Sequence, residues 1–189
     1  MAALIQKEGI TIATLPPSYQ ISIQDYAIDS MRILISAGEK LNTKVAKKFQ
    51  EKGITVINAY GPSENTVCAT MTKTPFVNEH RVSIGKPLPN VKVYVLDAHN
   101  NICPIGVSGE LCISGTQVAR GYLNQPELSE EKFIKHPFDA TATSPLYKTG
   151  DICRWLPDGN VEYINRIDNQ VKIRGHRVEL GEIEQVILQ

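Results

Sequence analysis

Three short runs rich in β-branched residues, with a helical segment between the last two, restrict the sheet this chain can build. Ile10–Leu15 is closed by Pro16-Pro17 and reads as a buried strand at a sheet end. Arg32–Gly38 is a second strand, ending at a glycine that permits a tight turn. Asn42–Lys52 reads as a helix, with Asn42 or Thr43 as its cap, Val45, Ala46 and Phe49 on its apolar face, and Gly53 as its stop. Ile54–Asn58 is the third strand. Strand, helix, strand with short connections predicts a parallel α/β sheet, whose binding crevices lie beyond the C-terminal strand ends.

From Ile84 the pattern changes to short strands separated by turns: Val91–Leu96, Gly109–Ile113, Gly121-Tyr122, Cys153–Leu156 and Val161–Ile164. Asn100-Asn101 and Pro157-Asp158-Gly159-Asn160 read as hairpin turns. Residues 124–134 read as a short helix capped at Ser129 or slightly earlier, followed by a loop to Tyr147. Val171 and Ile173 alternate with Lys172 and Arg174 as in a half-buried strand ended by Gly175. Ile183, Val186 and Ile187 then follow helical spacing. That helix has two turns before Gln189 with no stop signal, so the chain is expected to be part of a longer one. The expected fold class is α/β: a parallel α/β portion (1–83), a mostly β, distorted-barrel subdomain (84–167), and the start of a small α+β C-terminal subdomain (168–189).

Twenty basic residues offset twenty acidic ones, which argues against a nucleic-acid footprint or an anionic membrane surface. No apolar run approaches a membrane span, and the first residues lack a signal-peptide core. Cys68, Cys103, Cys112 and Cys153 show no C-x-x-C spacing, and the four histidines are scattered. A zinc-type site is not expected, and the cysteines read as reduced thiols of a cytoplasmic protein.

Two stretches carry chemistry. The third strand delivers Asn58-Ala59-Tyr60-Gly61-Pro62-Ser63-Glu64, in which an amide, an aromatic face, a hydroxyl and a carboxylate follow one another where a parallel sheet binds its ligand. A surface turn with a capping Ser63 and a solvated Glu64 would give the same string. The second stretch is Tyr147-Lys148-Thr149-Gly150-Asp151, which reads as a turn carrying a carboxylate, followed by Asn165-Arg166-Ile167-Asp168-Asn169-Gln170-Val171-Lys172-Ile173-Arg174-Gly175-His176-Arg177-Val178-Glu179-Leu180-Gly181-Glu182.

This second stretch resembles the nucleotide-and-hinge region of adenylate-forming enzymes, and above all the amino-acid-activating adenylation domains of nonribosomal peptide synthetases. Within that branch the chain is most similar to the phenylalanine-activating domains of gramicidin and tyrocidine synthetases. The resemblance implies formation of aminoacyl-AMP from ATP and an amino acid, then loading of a partner carrier domain's phosphopantetheine. Asn58 would meet the adenine edge, beside Ala59, and Tyr60 would stack on the base. Ser63 would approach the α-phosphate, and Glu64 would hold Mg²⁺. Asp151 would take the ribose hydroxyls, with Tyr163 and Arg166 beside ribose and phosphates. Ser63, Glu64 and Arg166 would then be the catalytic set, and Tyr60, Glu64 and Asp151 would converge on one cavity.

By the same resemblance Asp168 is the hinge of the C-terminal subdomain, which would bring the Arg174-Gly175-His176 loop to the site in a second state; Asp168-Asn169 also reads as a plain polar turn. Thr14, Ile35, Ala37, Ala59, Gly61, Val67 and Cys68 match positions lining the substrate side-chain pocket, and their small or apolar character suits a large hydrophobic or aromatic amino acid such as phenylalanine. Gly109–Gly115 and Ala119–Leu123 resemble another family signature and are read here as strand ends and tight turns. Implied partners are the amino acid, a peptidyl carrier domain and other synthetase domains. The family's phosphate loop and late lysine do not occur in the 189 residues, so this segment alone is expected to turn over little. The alternative is a non-catalytic adenylation-like module for nucleotide binding or scaffolding.

Overall fold

A computed structural model describes residues 1–73, 75–76, 81–168, 170–173, 176–178 and 180–187. Helix α1 (Ala2–Lys7) leads into strand β1 (Ile12–Leu15), α2 (Pro17–Ile23), β2 (Ile33–Ser36), α3 (Thr43–Glu51) and β3 (Thr55–Tyr60). Strands β1, β2 and β3 run parallel, with Thr14 beside Ile35 and Ile35 beside Ile57. The expected α3 forms because Asn42 accepts a hydrogen bond from the Val45 N–H at 3.2 Å, satisfying a donor that the first turn leaves open. Val45, Ala46 and Phe49 are buried on one face of the helix, and Gly53, at φ +78°, turns the chain back so that the Ile54 N–H reaches Phe49 O at 3.0 Å. Phe49, Leu34 and Val56 are fully buried at the centre of this first core, where each such side chain contributes about 1.5–3 kcal/mol.

The first run takes its expected place at the end of the sheet but is not buried along its length. β1 is an edge strand, and Ile12 is 55% exposed, because one edge and one face of that strand have no neighbour among the described residues.

After a 3₁₀ turn (Ser63–Asn65) come β4 (Thr70–Thr72), β5 (Val82–Pro87), β6 (Val91–Leu96) and β7 (Gly109–Gly115). They are followed by α4 (Pro126–Lys132), β8 (Phe133–Ile134), β9 (Leu146–Trp155) and β10 (Val161–Arg166). β4 and β5 join the parallel half antiparallel, giving the order β1-β2-β3-β4-β5-β10-β9-β7-β6. The boundary expected at residue 83/84 falls within β5, which gives Val82 to the first core and Ile84 to a second one built on Val95, Leu111, Ile113, Cys153 and Val161. Only Leu88–Asn90 link β5 to β6, a span of at most about 15 Å at 3.8 Å per Cα step. A flat ladder β5-β10-β9-β7-β6 would hold its outer strands about 19 Å apart, so this half curls toward a barrel.

Two local readings are corrected. Gly121-Tyr122 is not a strand: Gly121 sits at φ +147°, and the Tyr122 N–H goes to the Ser129 hydroxyl at 2.8 Å, not to a neighbouring strand. The stretch Tyr147–Asp151, expected as a turn, belongs to β9, which is much longer than the predicted Cys153–Leu156. Helix α4 starts at Pro126, so its cap is the earlier one, at Gln125. A hairpin of β11 (Val171–Ile173) and β12 (His176–Val178) precedes helix α5 (Leu180–Ile187). Arg174 and Gly175, which carry the predicted loop and strand end, lie outside the described residues.

Candidate functional site

Strand β3 ends at Tyr60, and the chain then folds back so tightly that a Cβ on Gly61 would lie 2.4 Å from Val67 O and 2.7 Å from Cys68 Cα. Only glycine allows that approach. On the other side, β9 presents Asp151 directly opposite Arg166 of β10. Between these strand ends lies a cavity of about 510 Å³. Asn58, Ala59, Tyr60, Asp151, Tyr163 and Arg166, the six residues expected around a nucleotide, all line it. Gly61, from the expected substrate set, lines it as well.

A polar network organises the wall. Tyr60 donates its hydroxyl to Asp151 Oδ2 at 2.5 Å, and Arg166 Nη1 donates to Asp151 Oδ1 at 3.0 Å. The other edge of the guanidinium forms a two-point fork on Asp168, with Nε–Oδ1 and Nη2–Oδ2 both at 2.7 Å. Arg166 therefore bridges the residue expected at the ribose and the residue expected at the hinge. Such planar pairing suits arginine and not lysine.

Burial is the largest influence on the Asp151 carboxyl and pushes its pKa up, against the opposing pull of Tyr60 and Arg166. Burial and the Asp151 charge raise the Tyr60 phenol well above its ordinary range, and burial with the same charge takes Tyr163 to about 12. Both phenols stay neutral at physiological pH and can donate hydrogen bonds. Burial works against the Arg166 charge, but Asp168 and Asp151 more than offset it and raise its pKa.

Most of the other expected residues fall outside the cavity wall. The Asn58 amide lines the cavity but already donates to Ser83 O at 2.8 Å. Ser63 is exposed in the 3₁₀ turn. Thr14 and Ile35 lie side by side on β1 and β2, with Ala37 just past the end of β2. Val67 is 73% exposed, and Cys68 is half-buried. Of the substrate set, Ala59 and Gly61 alone belong to the cavity wall among the described residues.

The expectation that Glu64 shares the cavity with Tyr60 and Asp151 is corrected. Glu64 is 6% exposed and absent from the cavity wall among the described residues. Its Oε1 accepts from the Tyr122 hydroxyl at 2.7 Å, and its carbonyl accepts the Ala119 N–H at 2.8 Å. The Tyr147 phenol is raised by burial and, next, by the Glu64 charge. The segment that resembled a second signature thus holds the Glu64 carboxylate against two tyrosines.

No group of three or more metal-ligating side chains occurs among the described residues. Mg²⁺ bound with a nucleotide needs only one or two carboxylates, the phosphates and water supplying the rest. Glu64 has the donor chemistry for this, but its carboxylate is buried, held by Tyr122 and away from the cavity wall among the described residues, so it does not face phosphates bound there as it stands.

Sequence reading missed Lys40 and Lys172, two cations on the cavity wall, and Glu39 beside them. Glu39 ties the loop after β2 to α2, accepting from the Ser18 N–H at 2.9 Å and the Ser18 hydroxyl at 3.0 Å. Only the tertiary fold reveals these, since nothing in their local spacing marks them.

The family described as AMP-binding enzyme matches residues 1–123. Tyrocidine synthase 2 of Brevibacillus parabrevis is 48% identical over 188 residues, covering 99% of this chain and 5% of that protein. Gramicidin S synthase 1 of Brevibacillus brevis is 48% identical over 185 residues, covering 97% of this chain and 17% of that protein. Among solved structures, holo-PA1221, an NRPS protein containing adenylation and PCP domains bound to a vinylsulfonamide inhibitor, superimposes with a TM-score of 0.89 at 27% identity, over 100% of this chain and 34% of that one. The artificially fused adenylation-PCP di-domain NpsA-ThdA from Klebsiella oxytoca superimposes with a TM-score of 0.85 at 25% identity, over 98% of this chain and 36% of that one. The chain therefore spans a small part of these synthases and about a third of the solved chains.

Proposed function

The chain belongs to the AMP-binding enzyme family, and from that premise we propose that it is part of an amino-acid-activating adenylation domain of a nonribosomal peptide synthetase. In this reading the amino-acid carboxylate attacks the α-phosphorus of ATP, a new P–O bond forms, and the bond to the leaving pyrophosphate breaks. The aminoacyl group then passes to the phosphopantetheine thiol of a peptidyl carrier domain, releasing AMP. The observation that carries the reading is that Tyr60, Asp151, Tyr163 and Arg166 line one cavity at the end of a parallel strand.

Each side chain has a role suited to its chemistry. The Tyr60 ring offers a flat face to a purine, and the Asp151 carboxylate offers two acceptors to a vicinal diol. Arg166 opposes negative charge as it builds on the phosphate. Glu64 would hold Mg²⁺ only once its carboxylate turned from Tyr122 to the cavity, and the ion when bound would offset phosphate charge. Ser63, at the turn after β3, would meet the α-phosphate.

A large hydrophobic or aromatic amino acid such as phenylalanine is the proposed substrate. Ala59 and Gly61 leave room and bring no charge to the cavity wall. The carrier partner is supported by PA1221, whose adenylation and PCP domains share one protein. Asp168 is the proposed hinge, and the cytoplasm the proposed compartment; no helix among the described residues is long and apolar enough to cross a membrane.

The test is amino-acid-dependent ATP–pyrophosphate exchange by the full-length protein across a panel of amino acids. Exchange highest with phenylalanine or another large apolar side chain is expected. Exchange with none of them would overturn the activity, and exchange confined to charged amino acids would overturn the substrate class.

A further inference from the structure

The position of Asp151 depends on an irregularity in β9. Against β7, Glu110 pairs with Ile152 and Cys112 pairs with Lys148, so Leu111 alone faces Thr149, Gly150 and Asp151. The strand bulges there, and a bulge re-aims the side chains it carries. Gly150 sits at φ +73°, and a Cβ on it would come within 3.0 Å of Arg166 Nη2 and 3.1 Å of Asp168 Oδ2. A bulge also removes backbone groups from the ladder, and a buried N–H left without a partner is costly.

Here side chains take up two of the displaced donors. The buried Gly150 N–H donates to Glu110 Oε1 at 3.0 Å, and the Asp151 N–H donates to Thr149 Oγ1 at 3.0 Å. The Thr149 hydroxyl itself donates to Leu111 O at 2.7 Å. The Gly150 carbonyl accepts the Ile167 N–H at 2.8 Å. The second Glu110 oxygen lies 3.3 Å from Lys148 Nζ, and the Glu110 side chain is only 15% exposed.

We propose that Glu110 is a positioning residue for Asp151: from outside the cavity wall its carboxylate holds the Gly150 N–H, and so fixes the bulge that turns Asp151 toward a bound ribose. This rests on the reading of Asp151 as the group that takes the ribose hydroxyls. Glu110 lies in Gly109–Gly115, the stretch whose signature-like spacing the nucleotide reading left unused.

The experiment compares equilibrium affinities of the full-length protein for ATP and for 2′,3′-dideoxy-ATP, in the parent and in D151N, E110A, E110Q and T149V. The parent prefers ATP, and D151N loses that preference. E110A loses it by about 10- to 100-fold, the scale on which a displaced positioning group acts, while its affinity for dideoxy-ATP stays near the parent's. E110Q retains most of the preference, because its amide oxygen still accepts from Gly150. T149V loses preference as E110A does, and carries the test should E110A fail to fold.

Loss in D151N with parent-like preference in E110A, or in T149V if E110A does not fold, overturns the role of Glu110 alone. An equal drop for both nucleotides in E110A also overturns it. Parent-like preference in D151N overturns the ribose reading, and the inference with it.

Discussion

Tyr60 and Asp151, 91 residues apart in the chain, are joined by a 2.5 Å hydrogen bond from phenol to carboxylate. One ends the last parallel strand and the other sits in the bulge of an antiparallel strand, so this contact ties the two halves of the sheet at the cavity. Arg166 closes the arrangement from β10.

Tyr60 is expected to act mainly through its ring. Tyr60→Ala should cost about 1–3 kcal/mol of ATP affinity, the scale of aromatic–base stacking, whereas Tyr60→Phe keeps the ring and should cost less. Fluorescence titration of the full-length variants checks this. Equal losses in the two variants would assign the role to the hydroxyl.

Arg166→Ala should lower the rate of pyrophosphate exchange on the order of 10²–10³-fold, as expected for loss of one preorganised donor to a developing anion. Arg166→Lys should not restore it, because an ammonium cannot reproduce the two-point fork on Asp168. Steady-state kinetics should show the loss in kcat, with KM for the amino acid nearly unchanged.

Acid stability should depend on Glu162. Hydrogen bonding from Arg81 above all, then from Arg154, holds this buried carboxyl below its ordinary value of 4.5. A depressed folded pKa adds stability that is present above 4.5 and lost as pH falls through the depressed value. Asp151 has the opposite sign: raised above 3.8 by burial, it adds stability below 3.8 that is lost as pH rises through the raised value. Thermal melts from pH 3 to 7 (roughly the range set by these carboxyl groups) should therefore show a flatter acid limb in Glu162→Gln. In Asp151→Asn the loss above pH 3.8 should disappear. Unchanged acid limbs in both variants would contradict the assignment.

Packing and capping should separate cleanly in the first core. Phe49→Ala empties a fully buried site and should cost about 3–5 kcal/mol, while Asn42→Ala removes one cap and should cost about 1 kcal/mol. Urea denaturation measures both. Similar costs for the two would mean that the core around Phe49 relaxes into the space.

Much of this was legible in the sequence where spacing is local. Asn42, Val45, Phe49 and Gly53 announce α3, and β6 runs over the predicted Val91–Leu96. The six nucleotide-site residues that line the cavity are named through the resemblance to adenylation domains, which supplies their expected roles; local spacing alone assigns them no ligand. What could not be read depends on distant contacts. β1 looks like a buried strand until the sheet order leaves it at an edge. Gly150-Asp151 looks like a turn because nothing local shows that β7 lies alongside. Glu64 looks free to face a ligand until Tyr122, 58 residues on, is found bonded to it.

The most direct measurement is a crystal structure of the full-length protein with AMP bound. The account predicts the adenine against the Tyr60 ring, the ribose hydroxyls on the Asp151 carboxylate, and the phosphate facing Arg166. A nucleotide bound on any other surface, with this cavity left open, would contradict it.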